Sequence, residues 1–147
     1  QGAASVLLDF ARHNNPKTRI RMLQAALQYP LRDVTPFLVQ RISSEAFLQL
    51  PYMEQRLLLL LLLKYDAERA QVLLCEILNS YSRVRIDKKR ETTRLIAIEM
   101  LSQLPQVHPD TRNAIEHAAS RWWWNSKELR SAANEALRRL QSTEAVS

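Results

Sequence analysis

The chain is 147 residues long, 46% hydrophobic and 24% charged, and its 21 Lys and Arg against 15 Asp and Glu leave a net charge of +6. That length supports one domain burying about two thirds of the surface its unfolded chain exposes, and the apolar content excludes a disordered chain. The single glycine, Gly2, excludes internal Gly-rich phosphate loops, dinucleotide fingerprints and nucleophile elbows, and it removes the favoured primed-turn hairpins. An all-α chain is expected.

The chain opens at Gln1 without Met or a basic-then-apolar leader pattern, and reads as a fragment excised from a longer protein. A first helix is expected from Ala3 to His13, where Val6, Leu7, Leu8, Phe10 and Ala11 spread round the axis with only Asp9 and Arg12 between them. Such an apolar end calls for upstream protein or a partner. Asn15-Pro16 marks the next start, Asn as cap and Pro where a missing N–H is harmless. Asp33 or Thr35, followed by Pro36, opens a helix running towards Gln49.

Pro51 begins the helix around which the chain is organised, with seven leucines, Leu57 to Leu63, between Arg56 and Lys64. Leucine is a strong helix former, and a run without a polar face predicts a helix buried all round. The run is too short for a bilayer, which takes about 20 apolar residues. Asp66 caps Ala67 to Ser80, which carries Cys75, the only cysteine. No intrachain disulfide can form, and a lone thiol among Leu73, Leu74, Ile77 and Leu78 reads as a small core residue rather than a nucleophile. The cysteine usage fits a reducing, cytoplasmic setting. Arg90 to Leu104 follows, stopped by Pro105; Pro109 opens Asp110 to Trp123; and Asn125 with Glu128 resembles a capping box for Lys127 to Gln141.

Arginines with apolar followers recur at Arg19, Arg56, Arg94 and Arg130, spaced 37, 38 and 36 residues apart. Each heads an i+3, i+4, i+7 face, with Asn134 at i+4 in the last. The chain resembles the HEAT-like α-helical repeats, best at Asn125 to Leu137, where a polar turn, the arginine and Ala132-Ala133-x-x-Ala136-Leu137 look like the second helix of a repeat. Arg94 to Leu101 is similar more loosely. The chain departs from the family in lacking turn glycines and in a long turn within the third repeat. The resemblance implies a right-handed α-solenoid-like stack of four antiparallel helix pairs in one domain, with repeats at about 3–30, 34–65, 66–104 and 109–141. It implies a binding scaffold and no catalysis. The last helix reads as a cap, with Leu129, Ala132, Ala133, Ala136, Leu137 and Leu140 on one stripe and Ser131, Asn134, Glu135, Arg138 and Gln141 opposite.

Two stretches carry functional expectations. From Arg83 to Arg94, six basic residues (Arg83, Arg85, Lys88, Lys89, Arg90, Arg94) face only Asp87 and Glu91, concentrating +4 of the net +6 in one loop. It reads either as a solvated loop or as a site for an anionic partner, whether nucleic-acid phosphates, an acidic protein surface or anionic lipid, through Arg83, Arg85, Lys88, Lys89 and Arg90. In Trp122-Trp123-Trp124, successive helical residues point about 100° apart, so three indoles cannot share one core. Trp122 continues the Ile115, Ala118, Ala119 stripe and is expected in the core; Trp123 and Trp124 either cover the alanine-rich last helix or form an aromatic contact site. His13, His108 and His117 lack metal-ligand spacing, and no paired-carboxylate motif occurs. No catalytic residue, metal or cofactor is assigned. A non-enzymatic scaffold for a protein partner, or for another domain of the parent chain, is expected. Alternatives are polyanion binding through the 83–94 loop, a HEAT-like DNA glycosylase, for which no acid is assigned, and the cytoplasmic domain of a membrane-anchored protein.

Overall fold

In a computed structural model, the structure describes residues 13–28, 32–81 and 87–146. Among these, seven α-helices and one short 3-10 helix form the chain, and no strand occurs: α1 Pro16–Gln28, α2 Thr35–Ser43, the 3-10 helix Glu45–Gln49, α3 Tyr52–Tyr65, α4 Ala67–Leu78, α5 Lys88–Ser102, α6 Pro109–Ala119 and α7 Lys127–Val146. The expected helix over 3–13, with its apolar cluster, lies outside the described residues except for His13. None of the described helices is long and apolar enough to cross a membrane. The chain divides into two compact units, with the boundary between Ala70 and Gln71.

In the first unit α3 packs against α1 and α2. Asn15 Oδ1 accepts the Lys17 N–H at 3.0 Å, so the Asn-Pro start of α1 is a side-chain cap followed by Pro at the first helical position. Asp33 stands at φ 57°, in the left-handed region that short polar side chains tolerate best after glycine. The helix expected to run towards Gln49 stops at Ser43. Ser44 turns extended, its hydroxyl donates to Arg41 O at 2.8 Å, and the chain continues as a 3-10 turn. A serine offering the backbone a local alternative to the helical ladder explains the break.

The leucine helix is nearly, not wholly, enclosed. Leu57, Leu58, Leu59, Leu61 and Leu62 are buried, whereas Arg56, Leu60 and Leu63 are half-buried and Lys64 is exposed. These four, at i, i+4, i+7 and i+8, form a narrow stripe on one side. Each fully buried leucine contributes about 1.5–3 kcal/mol, which makes α3 the centre of this unit's core. Two polar residues at its start are also buried. Glu54, with no exposed surface, accepts from Arg19 Nε and NH2 at 3.0–3.1 Å, with Arg41 NH2 at 3.7 Å. Gln55 Nε2 donates to Leu50 O at 3.0 Å.

In the second unit α7 packs against both α5 and α6. Asp66 Oδ1 caps α4 through the Arg69 N–H, as expected, and Asp87 Oδ1 caps α5 through the Lys89 N–H, so α5 begins two residues before the expected Arg90. The cap of α7 is Ser126, whose Oγ accepts the Leu129 N–H at 3.0 Å, and not Asn125, which is buried and engaged elsewhere. α6 ends at Ala119, four residues before the expected Trp123, because Ser120 is extended and its hydroxyl donates to His117 O at 2.6 Å.

Several side-chain bonds in both units span 35–37 residues. Arg19 to Glu54 spans 35 residues and Lys64 Nζ to Leu27 O spans 37 in the first unit. In the second, Cys75 to Thr111 spans 36, His108 to Gln71 spans 37 and Ser126 to Glu91 spans 35. The separation matches the arginine spacing in the sequence.

Candidate functional site

The turn between α6 and α7 carries the chain's three tryptophans, and a buried cation fixes it from beneath. Arg94, on α5, is 1% exposed. Its Nε donates to Leu78 O at 2.7 Å, NH1 to Glu91 Oε2 at 3.2 Å and Trp124 O at 3.4 Å, and NH2 to Asn125 Oδ1 at 3.0 Å. Burial pushes its pKa down and the Glu91 carboxylate pushes it back up; guanidinium remains charged in either case. Glu91 Oε1 also accepts the Ser126 N–H at 3.0 Å, so one ion pair ties α5 to the start of α7. Asn125 completes the link, its Nδ2 donating to His117 O at 3.0 Å and Ser120 O at 3.2 Å, which satisfies carbonyls at the end of α6.

Above this network lies an aromatic ladder. The Arg94 guanidinium sits 5.3 Å from the centre of the Tyr81 ring, Tyr81 stacks on Trp124 at 5.1 Å, and Trp124 stacks on Trp122 at 4.9 Å with the planes 2° apart. Trp123 meets Trp124 edge-on at 5.6 Å, and His117 stacks on Tyr81 at 5.8 Å. Parallel-displaced and edge-on rings at such distances are the favoured arrangements of aromatic quadrupoles. Trp122 and Trp123 remain 53% and 51% exposed, and Trp124 is half-buried. The expected core position of Trp122 is therefore overturned: the helix that would have carried it inward has ended at Ala119, and the residue lies in the turn. Of the two rings expected either to cover the alanine-rich last helix or to form a contact site, Trp123 is exposed and Trp124 half-buried.

The basic residues of the 83–94 stretch do not act as one set. Arg83 and Arg85 lie outside the described residues. Lys88 and Lys89 are exposed in the first turn of α5, Arg90 NH1 donates to Ser80 Oγ at 2.6 Å with its Nε 3.7 Å from Asp87, and Arg94 is consumed by the buried network. Cys75 is half-buried and donates to Thr111 Oγ1 at 3.1 Å, and burial raises its pKa. The thiol belongs to a chain of bonds in which Thr111 Oγ1 and the His108 N–H both donate to Gln71 Oε1, fixing α6 to α4. Among the described residues no group of three or more His, Cys, Asp or Glu could hold a metal ion. The ionic base of the turn escaped the sequence reading. Its one local signal is Glu91 at i−3 to Arg94, an ordinary helical pair until Asn125 and Ser126 join it.

No protein-family model, curated protein or solved structure matches this chain.

Proposed function

We propose that the protein is a non-enzymatic interaction scaffold of HEAT-like helix pairs, and that its partner is another protein or another domain of the same parent chain. The observation that carries this reading is the pair of half-exposed indoles, Trp122 and Trp123, on a turn fixed by Arg94, Glu91 and Asn125. Exposed large aromatics on a rigid support bind with little loss of side-chain entropy, and tryptophan is among the residues that dominate binding energy at interfaces. The repeat part of the proposal is supported by hydrogen bonds recurring at separations of 35–37 residues in each unit, matching the arginine spacing in the sequence.

The test is a photo-crosslinking residue at position 123 of the full parent chain, with the exposed position 113 on α6 as control. A protein or intramolecular adduct specific to position 123, and lost with Trp122→Ala, is expected. The same adducts from both positions, or none from position 123, would overturn the proposal.

A further inference from the structure

We propose that the groove between the end of α6 and the first three turns of α7 binds a small ligand through a diphosphate or triphosphate group. The groove is open to solvent and has a volume of about 560 Å³, within the range of roughly 300–1,000 Å³ usual for small-molecule sites. Arg121 borders it from the turn, and Lys127, Arg130, Ser131, Asn134 and Arg138 border it from α7. The α7 residues fall at i, i+3, i+4, i+7 and i+11, one face of the helix. This is much of the face that the sequence reads as a polar cap.

Four cations border it, and no carboxylate is among the described lining residues. Elsewhere four arginines are matched: Arg19 and Arg41 by Glu54, Arg94 by Glu91, and Arg112 by Glu116 and Glu144. Of the groove's cations, Arg138 is paired with a carboxylate, Glu135, in an exposed contact at 2.7 Å. The Arg130 Nε–H is buried and has no acceptor among the described residues. That donor is shielded from the groove as well as from solvent, so an anion there would meet Arg130 through its terminal guanidinium nitrogens.

A phosphate group fits this donor set because its oxygens accept two parallel N–H bonds from a guanidinium, and Ser131 and Asn134 add neutral donors. Lys127 and Arg138 are 11 residues apart, about 16 Å along the helix at 1.5 Å per residue, too far for one phosphate to meet all four cations. Two or three linked phosphates offer more charge and more acceptor oxygens than one, so long Lys and Arg side chains can meet them from both ends of the face. The inference is independent of the aromatic contact site and stands or falls without it.

Pyrophosphate and inorganic phosphate, titrated into the purified chain by calorimetry, are the probes. One pyrophosphate per chain is expected, bound at least about tenfold more tightly than phosphate, with at least about tenfold weaker binding in both Arg130→Gln and the Arg121→Gln/Arg138→Gln double variant. The double variant keeps the test open if the half-buried Arg130 is needed for folding. Lys88→Gln/Lys89→Gln, with the same change in net charge as the double variant, should alter affinity less than about twofold. Equal affinity for the two anions, or an equal loss with the Lys88 and Lys89 changes, would overturn the proposal. Binding of oligothymidylate without binding of pyrophosphate would also overturn it and would place a nucleic-acid strand in the groove.

Discussion

Replacing Arg94 by Met tests whether the tryptophan turn stands on the buried ionic base. The change keeps most of the side chain's apolar volume and deletes its bonds to Leu78 O, Glu91, Trp124 O and Asn125. Glu91, 8% exposed, is left with the Ser126 N–H but without its cation. Removing one partner of a buried pair costs about 3–5 kcal/mol, because the remaining charge stays desolvated. With a urea m-value of about 2 kcal/mol/M, a loss of about 3 kcal/mol lowers the midpoint by about 1.5 M. The chain has three tryptophans, all in this turn, so fluorescence follows the second unit while circular dichroism follows all helices. The fluorescence midpoint should fall, and emission of the folded Arg94→Met chain should shift red as Trp124 gains water. Glu91→Met added to Arg94→Met should restore part of the loss. A midpoint change under about 0.3 M, or a double variant no better than Arg94→Met alone, would refute the reasoning.

The exposed indoles should matter far less for stability: Trp122→Ala forfeits one stacking contact, about 1 kcal/mol, and Trp123→Ala about as little, both read by urea unfolding monitored by circular dichroism. Leu59→Ala, at a fully buried position of α3, should cost about 2–5 kcal/mol in the same assay. Lys88 places a positive charge at the positive end of α5, so Lys88→Glu should stabilise by about 0.3–1 kcal/mol at low salt, with the gain fading as salt is added. Burial raises the Cys75 pKa, so the thiol should react with a disulfide reagent at pH 8 more slowly in the folded chain than in the unfolded one. The sign for stability follows: with the folded thiol titrating later than the unfolded one, its contribution is full below the unfolded pKa of about 8.5 and declines as pH rises through it.

Local chemistry made most helices readable. Asn15 and Asp66 cap their helices as the sequence suggests, because an Asx side chain needs only its own backbone two or three residues on. Reading failed where a distant partner won. Asn125 is a good cap by type, but Arg94 takes its Oδ1 from 31 residues away, leaving the cap to Ser126. Trp122 extends an apolar stripe only if α6 continues, and Ser120 ends it without the glycine or proline that usually announces a stop. The sequence put Ser131, Asn134 and Arg138 of the α7 groove on one polar face of the last helix but did not single out its cations. That Arg121 borders the same groove depends on where α6 ends, which periodicity alone does not give.

Glu54 and Glu91 link the two units' chemistry. They stand 37 residues apart, both buried, and each accepts a donor 35 residues away, Arg19 before the first and the Ser126 N–H after the second. Near the start of α3 and of α5, each of which carries an arginine, a buried carboxylate thus takes a donor from a segment 35 residues away. An apolar pair would pack as well over a wide range of offsets, whereas a buried carboxylate is satisfied only where its donor lies. If a fixed register is what these acids provide, Glu54→Leu combined with Arg19→Leu and Arg41→Leu should leave stability within about 1 kcal/mol, since a buried ionic triad and its hydrophobic replacement are often nearly equal. The triple variant should nonetheless lose amide-exchange protection in α1 and the first turn of α3, and unchanged protection there would assign the triad no role in setting register.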